Sequence, residues 1–146
     1  MGTEGTVALD EGLRAVLCDL ATGPAGATSA VLVRPATVAA TRAALELLDA
    51  APGPIAVTGW ADLTAPNLVD LLDDLRGGPG GRHLRALAVA WPTAAAWVDD
   101  VAVRRGLACL QVAGLELVLT GRGPSEVVDA IARLEPGLVV GPPPAP

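Results

Sequence analysis

Short β-rich runs alternate with stretches of helical period from residue 28 onward, and no other feature restricts the fold as much. "TSAVLV" (28–33) precedes a helical stretch over about 35–50 in which Val38, Thr41, Leu45 and Leu48 share a face. "PIAVT" (54–58) leads to a helix striped by Leu68, Leu71, Leu72 and Leu75, with Thr64 placed to cap it and Leu63 to staple against Leu68. "RGGPGG" (76–81) ends that helix, and "LRALAVA" (84–90) is the next strand. A helix over 92–105 follows, with Ala94, Val98, Val101 and Ala102 inward. "ACLQV" and "LELVLT" read as an antiparallel hairpin near 108–120 or as one bulged strand. Val127, Ile131 and Leu134 stripe a last helix before the short strand "GLVV" (137–140).

Parallel neighbours need a crossover, and a helix is the usual one. The expected fold is therefore α/β: a three-layer sandwich with a mostly parallel sheet of about five or six strands and helices on both faces. A leading helix with Leu13, Val16, Leu17 and Leu20 on one side covers part of the sheet. The 146 residues suit one domain over 1–140, with the proline-rich 141–146 as a tail or the start of a linker. Since 51% of residues are apolar but Phe and Tyr are absent, Ala, Val and Leu must fill the core.

Charge narrows the function. Ten arginines and no lysine face sixteen acidic residues, for a net charge of -6, so no basic patch supports a nucleic-acid partner. Without lysine, neither a Schiff base nor a P-loop is available. The bias toward Ala, Gly, Arg and Pro fits a GC-rich, bacterial coding sequence. Cys18 and Cys109 lack the spacing of a disulfide scaffold or a metal site, which fits a cytoplasmic protein with reduced thiols. The apolar run "ALAVAW" (86–91) is far shorter than a membrane span.

Prolines mark four strand-to-helix junctions, at Pro35, Pro66, Pro92 and Pro124. In a parallel sheet these junctions share the carboxyl edge, where open α/β folds bind ligands. The candidate binding residues are accordingly Arg34, Trp60, Asp62, Trp91, Thr120, Arg122 and Ser125. "GRGPS" (121–125) has the glycines of an anion loop, but Pro124 deletes a helix N–H, and the lysine and glycine spacing of a P-loop are missing. Arg122 and Ser125 could still hold a carboxylate or phosphate.

No catalytic residue, metal ligand or cofactor is identified. His83, the only histidine, precedes its strand and so lies at the opposite edge, out of reach of Ser125. Cys18 belongs to the outer face of its helix. Asp70, Asp73 and Asp74, like Asp99 and Asp100, read as solvated helix faces.

Two local resemblances accompany this reading. "ADLTAPNLVDLLDDL" (61–75) resembles the strand-to-helix segment of STAS domains, although "VDDVAV" carries no serine or threonine of the kind phosphorylated there. The strand pattern is also similar to caspase-like α/β domains. The catalytic positions would then fall near Thr58 or Gly59 and Ala90 or Trp91, which implies an inactive relative. The expected function is a non-enzymatic protein-interaction or regulatory domain, with a protein partner or self-association, using the strand-end rim. The alternative is a small-molecule or anion-binding domain, including a degenerate hydrolase-type domain, centred on Thr120, Arg122 and Ser125.

Overall fold

A computed structural model describes residues 9–22 and 29–141. Five helices and five strands alternate: α1 (Glu11–Thr22), β1 (Ser29–Leu32), α2 (Val38–Leu47), β2 (Ile55–Trp60), α3 (Leu68–Gly77), β3 (Leu84–Ala90), α4 (Val101–Ala113), β4 (Glu116–Thr120), α5 (Glu126–Leu134) and β5 (Val140–Gly141). Short 3-10 turns at Gly81–His83 and Ala95–Asp99 precede β3 and α4. The expected tail beyond Gly141 and the residues before Leu9 lie outside the described residues.

Local chemistry sets the helix ends. The Thr37 hydroxyl accepts from the Ala40 N–H to start α2, and the Asp100 carboxylate accepts from the Ala102 N–H to start α4. Gly114, at φ +73, ends α4 in the left-handed conformation that a side chain disfavours. Asn67, not Thr64, precedes α3; the Thr64 hydroxyl turns back to Asp62 instead. Leu63 and Leu68 are both buried, but with Asn67 at the cap they do not hold the N′ and N4 positions of the expected staple.

All pairings are parallel, and the strands lie in chain order β1-β2-β3-β4-β5 in a curled sheet. The α/β class, the five strands and the parallel sheet agree with the sequence reading. Among the described residues the helices cover one face of the sheet, where the sequence reading places them on both. When strand order never reverses, successive right-handed crossovers return each helix to the same face. The buried side chains bear this out: Leu17, Leu45, Leu72, Leu107 and Ile131, one from each helix, share a single core with Val31, Val57, Leu87, Leu117 and Leu119 of the sheet. Burying a residue such as Ile131 there contributes about 2 kcal/mol. A separate small cluster, Ala86, Ala88 and Val118 with Leu32 and Trp60 beside it, occupies the other face.

Three local expectations are corrected. The hairpin near 108–120 does not form, because "ACLQV" is the last turn and a half of α4 and only Glu116–Thr120 is strand. Val103, Leu107 and Leu110 bury one side of that helix at i, i+4 and i+7, which outweighs the strand propensity of a short apolar run. The helix expected over 92–105 is accordingly a 3-10 turn and the start of α4; Val98 is buried, whereas Ala94 and Val101 are exposed. On α1, Val16 is exposed while Leu13 and Leu17 carry the core contact.

Candidate functional site

Residues paired across a parallel sheet point to the same side, so the register defines the inner face row by row. Leu32, Thr58, Ala86 and Glu116 form one row, and Trp60, Ala88, Val118 and Gly141 the next. Ala30 and Ala56 precede them, and Ala90 and Thr120 close the carboxyl end. Five of these positions are alanine, so the surface is shallow. Trp60 is the largest side chain of these rows and packs against the cluster of Ala86, Ala88 and Val118, while its Nε1–H donates to the Val33 carbonyl at 2.6 Å. Ala30 and Ala90 remain exposed at either end.

The backbone beneath Trp60 is locked from the helix side. Buried Thr41, on α2, donates its hydroxyl to Thr37 O (3.0 Å) and accepts from the Trp60 N–H (2.8 Å). Gly59 leaves room for this contact, since a Cβ there would lie 2.4 Å from the Thr41 methyl. Neither Thr41 nor Gly59 was singled out from sequence as a support for the rim.

The four proline junctions all follow strand carboxyl ends, as the parallel pairing dictates. Trp91 sits just past β3; its backbone N–H donates to Thr120 O and its Nε1–H to Pro124 O at 3.1 Å. This explains "GRGPS". Gly121 has φ +83, a conformation suited to glycine, and a Cβ on Gly123 would fall 2.0 Å from the Trp91 ring. The glycines serve the bend and the indole. Thr120 donates its hydroxyl to Val89 O (3.4 Å), Arg34 pairs with Asp10 (3.2 Å), and Arg122 and Ser125 are exposed. Trp91, Thr120 and the Arg122–Ser125 loop therefore form one group, while Trp60 with Val33 and Arg34 forms a second.

Asp62 stands apart on an exposed turn. It accepts from the Thr64 hydroxyl (2.6 Å) and the Thr64 backbone N–H (2.9 Å), and these bonds hold its carboxyl below the ordinary aspartate value. A depressed folded-state pKa adds stability that is complete above the unfolded value and fades as pH falls through the folded one. Asp62→Asn is expected to lower the urea midpoint slightly at pH 7, with the gap closing below about pH 4. A gap that persists unchanged at acid pH contradicts this assignment.

At the opposite edge, a cleft of about 680 Å³ is bordered by Pro54, Arg82, His83, Arg85 and Glu116. His83 is buried there, with Nδ1 3.2 Å from Ile55 O and Nε2 3.0 Å from Leu48 O, so it ties the 48–55 loop to the start of β3. Its partners are backbone, as its expected position away from the rim implies. Among the described residues, no three His, Cys, Asp or Glu side chains come together in a group able to hold a metal ion, and no helix is long and apolar enough to cross a membrane.

No protein-family model matches the chain, and no curated protein matches it. Among solved structures it is similar to an amidohydrolase from Burkholderia multivorans, crystallised with bound HEPES. The two share 28% identity over 86% of this chain, with a TM-score of 0.55. The matched region is 42% of that protein, so this chain spans less than half of its length.

Proposed function

We propose that the chain is a non-catalytic association module, an amidohydrolase-like α/β segment that presents its inner sheet face and strand-end rim to a protein partner. One observation carries this reading: the apolar rows of Ala30, Ala56, Ala86, Ala88 and Ala90 around Trp60 line a sheet face on which, among the described residues, no helix packs. In a closed (β/α)8 barrel of consecutive parallel strands, that face is buried by the remaining strands. Here β1 and β5 each have a single neighbour in the five-stranded sheet. The similarity to a region covering 42% of a longer protein fits a segment that is completed by other α/β structure. A partner with bulky aliphatic side chains on a matching sheet face suits the alanine rows.

Because Ala30 and Ala90 are exposed, arginine at either place adds bulk and charge to the face without entering the core. Affinity purification from the native cells is expected to recover a stoichiometric partner with the wild-type chain and to lose it with Ala30→Arg and Ala90→Arg. Stability should change by no more than about 0.5 kcal/mol, as at other surface sites. Retention of the same partner by both variants contradicts the reading.

The bound HEPES of the similar amidohydrolase, whose sulfonate is an anion, favours a second reading in which the rim around Thr120, Arg122 and Ser125 holds an anionic small molecule. Under that reading, phosphate or HEPES raises the melting temperature of the wild type and leaves Arg122→Ala unmoved. The first reading expects no such difference.

A further inference from the structure

On the helix side, α3 and α4 flank a cleft of about 410 Å³ whose walls are mainly apolar: Val69 and Leu72 from α3, and Ala108, Cys109 and Val112 from α4. Val69 is 54% exposed and Val112 89%, a concentration of bare aliphatic surface that a chain in water covers when it can. One acid and one base border the cleft, Asp73 on α3 and Arg105 on α4. Four arginines elsewhere, Arg34, Arg42, Arg82 and Arg104, pair with aspartates of the same chain. Asp73 and Arg105 make no such pair among the described residues; Arg105 donates only to the Thr64 carbonyl, which leaves further guanidinium N–H groups available.

We propose that this cleft is a homodimer interface, occupied by the same cleft of a second copy. An isologous contact requires one patch to complement itself. A twofold axis along the cleft lays α3 of each copy over α4 of the other, so that Asp73 faces Arg105 of the second copy twice. The aliphatic side chains and Cys109 meet between those two ion pairs. An unrelated partner would have to bring both charges in the matching arrangement; a second copy carries them by symmetry. The surface lies on the opposite side of the sheet from the alanine rows and is independent of the function proposed for them.

Sedimentation velocity of the full chain over a range of concentrations tests the interface. The wild type is expected to show a concentration-dependent monomer–dimer equilibrium. Val112→Glu and Asp73→Arg should each weaken it by about tenfold or more, and Asp73→Arg combined with Arg105→Asp should recover most of the affinity. Because these side chains are exposed, circular dichroism should show every variant folded. A wild type that stays monomeric throughout, or a dimer indifferent to Val112→Glu and Asp73→Arg, overturns the proposal.

Discussion

Gly80→Ala is expected to lower stability by roughly 3 kcal/mol and the melting temperature by about 10 °C. Two independent penalties meet at this position. Its φ of +68 places the backbone in the left-handed region, which costs an alanine about 1 kcal/mol. Its Cβ would also lie 1.8 Å from the Leu45 carbonyl oxygen, a backbone atom of the core helix α2 that has no flexible side chain to move aside. Overpacking of this kind adds roughly 2 kcal/mol. The Gly80 N–H donates to Asp49 at 2.6 Å, so a loop that shifts to relieve the clash also loses that bond. Gly77→Ala supplies the contrast: it closes α3, and a Cβ there meets nothing within 4 Å. Urea denaturation of the pair should separate them clearly, and equal midpoints would refute the close approach of this loop to α2.

The second large effect is expected at Thr41→Val, at about 2 kcal/mol. Valine has almost the shape of threonine, so the packing against Gly59 survives and the hydroxyl alone is deleted. That hydroxyl is the acceptor for the Trp60 N–H at 2.8 Å, and Thr41 is fully buried, so water has no ready access to the orphaned donor. Thr41→Ser keeps the acceptor and removes one methyl, worth about 0.8 kcal/mol. The order expected in a thermal melt is wild type, then Ser, then Val. The reverse order of the two variants would show that the methyl, and not the hydrogen bond, secures the rim beneath Trp60.

Much of the architecture was legible because each strand and helix carries its own period. The α2 face of Thr41, Leu45 and Leu48, the α3 stripe of Leu68, Leu72 and Leu75, and the α5 pair Val127 and Ile131 are buried as their spacing predicts. The one-sided helix layer was obscured by alanine. In β3, Leu87 faces the main core while Ala86 and Ala88 belong to the other face, yet all three are apolar in a sequence pattern. From Ala86 onward β3 is apolar at every position, and such a run reads as covered on both faces. Alanine is small enough to tolerate an open face without declaring it by polarity. The extent of α4 was missed for a different reason: Cys109, Leu110 and Val112 form a short apolar run, and the deciding signals are the Asp100 cap and the Gly114 stop on either side of it.

The proline rim was legible from position alone, since every strand of a parallel sheet ends on the same edge. The roles of its residues were not. Whether Trp91 stands free or rests on a loop depends on Gly123, and the sequence shows only that Gly123 lacks a side chain, not which ring passes over it. The same holds for Gly59 and Thr41, whose contact joins residues far apart in the chain.

The unbroken succession β1 to β5 also bears on synthesis. As the polypeptide leaves the ribosome, each new β-strand finds its hydrogen-bonding neighbour already made, so the sheet can accrete from the amino end without waiting for distant segments. Each pairing still spans a whole helical crossover, as between Ser29 and Ile55, so closing those loops, and not finding a remote segment, sets the pace at which the sheet grows.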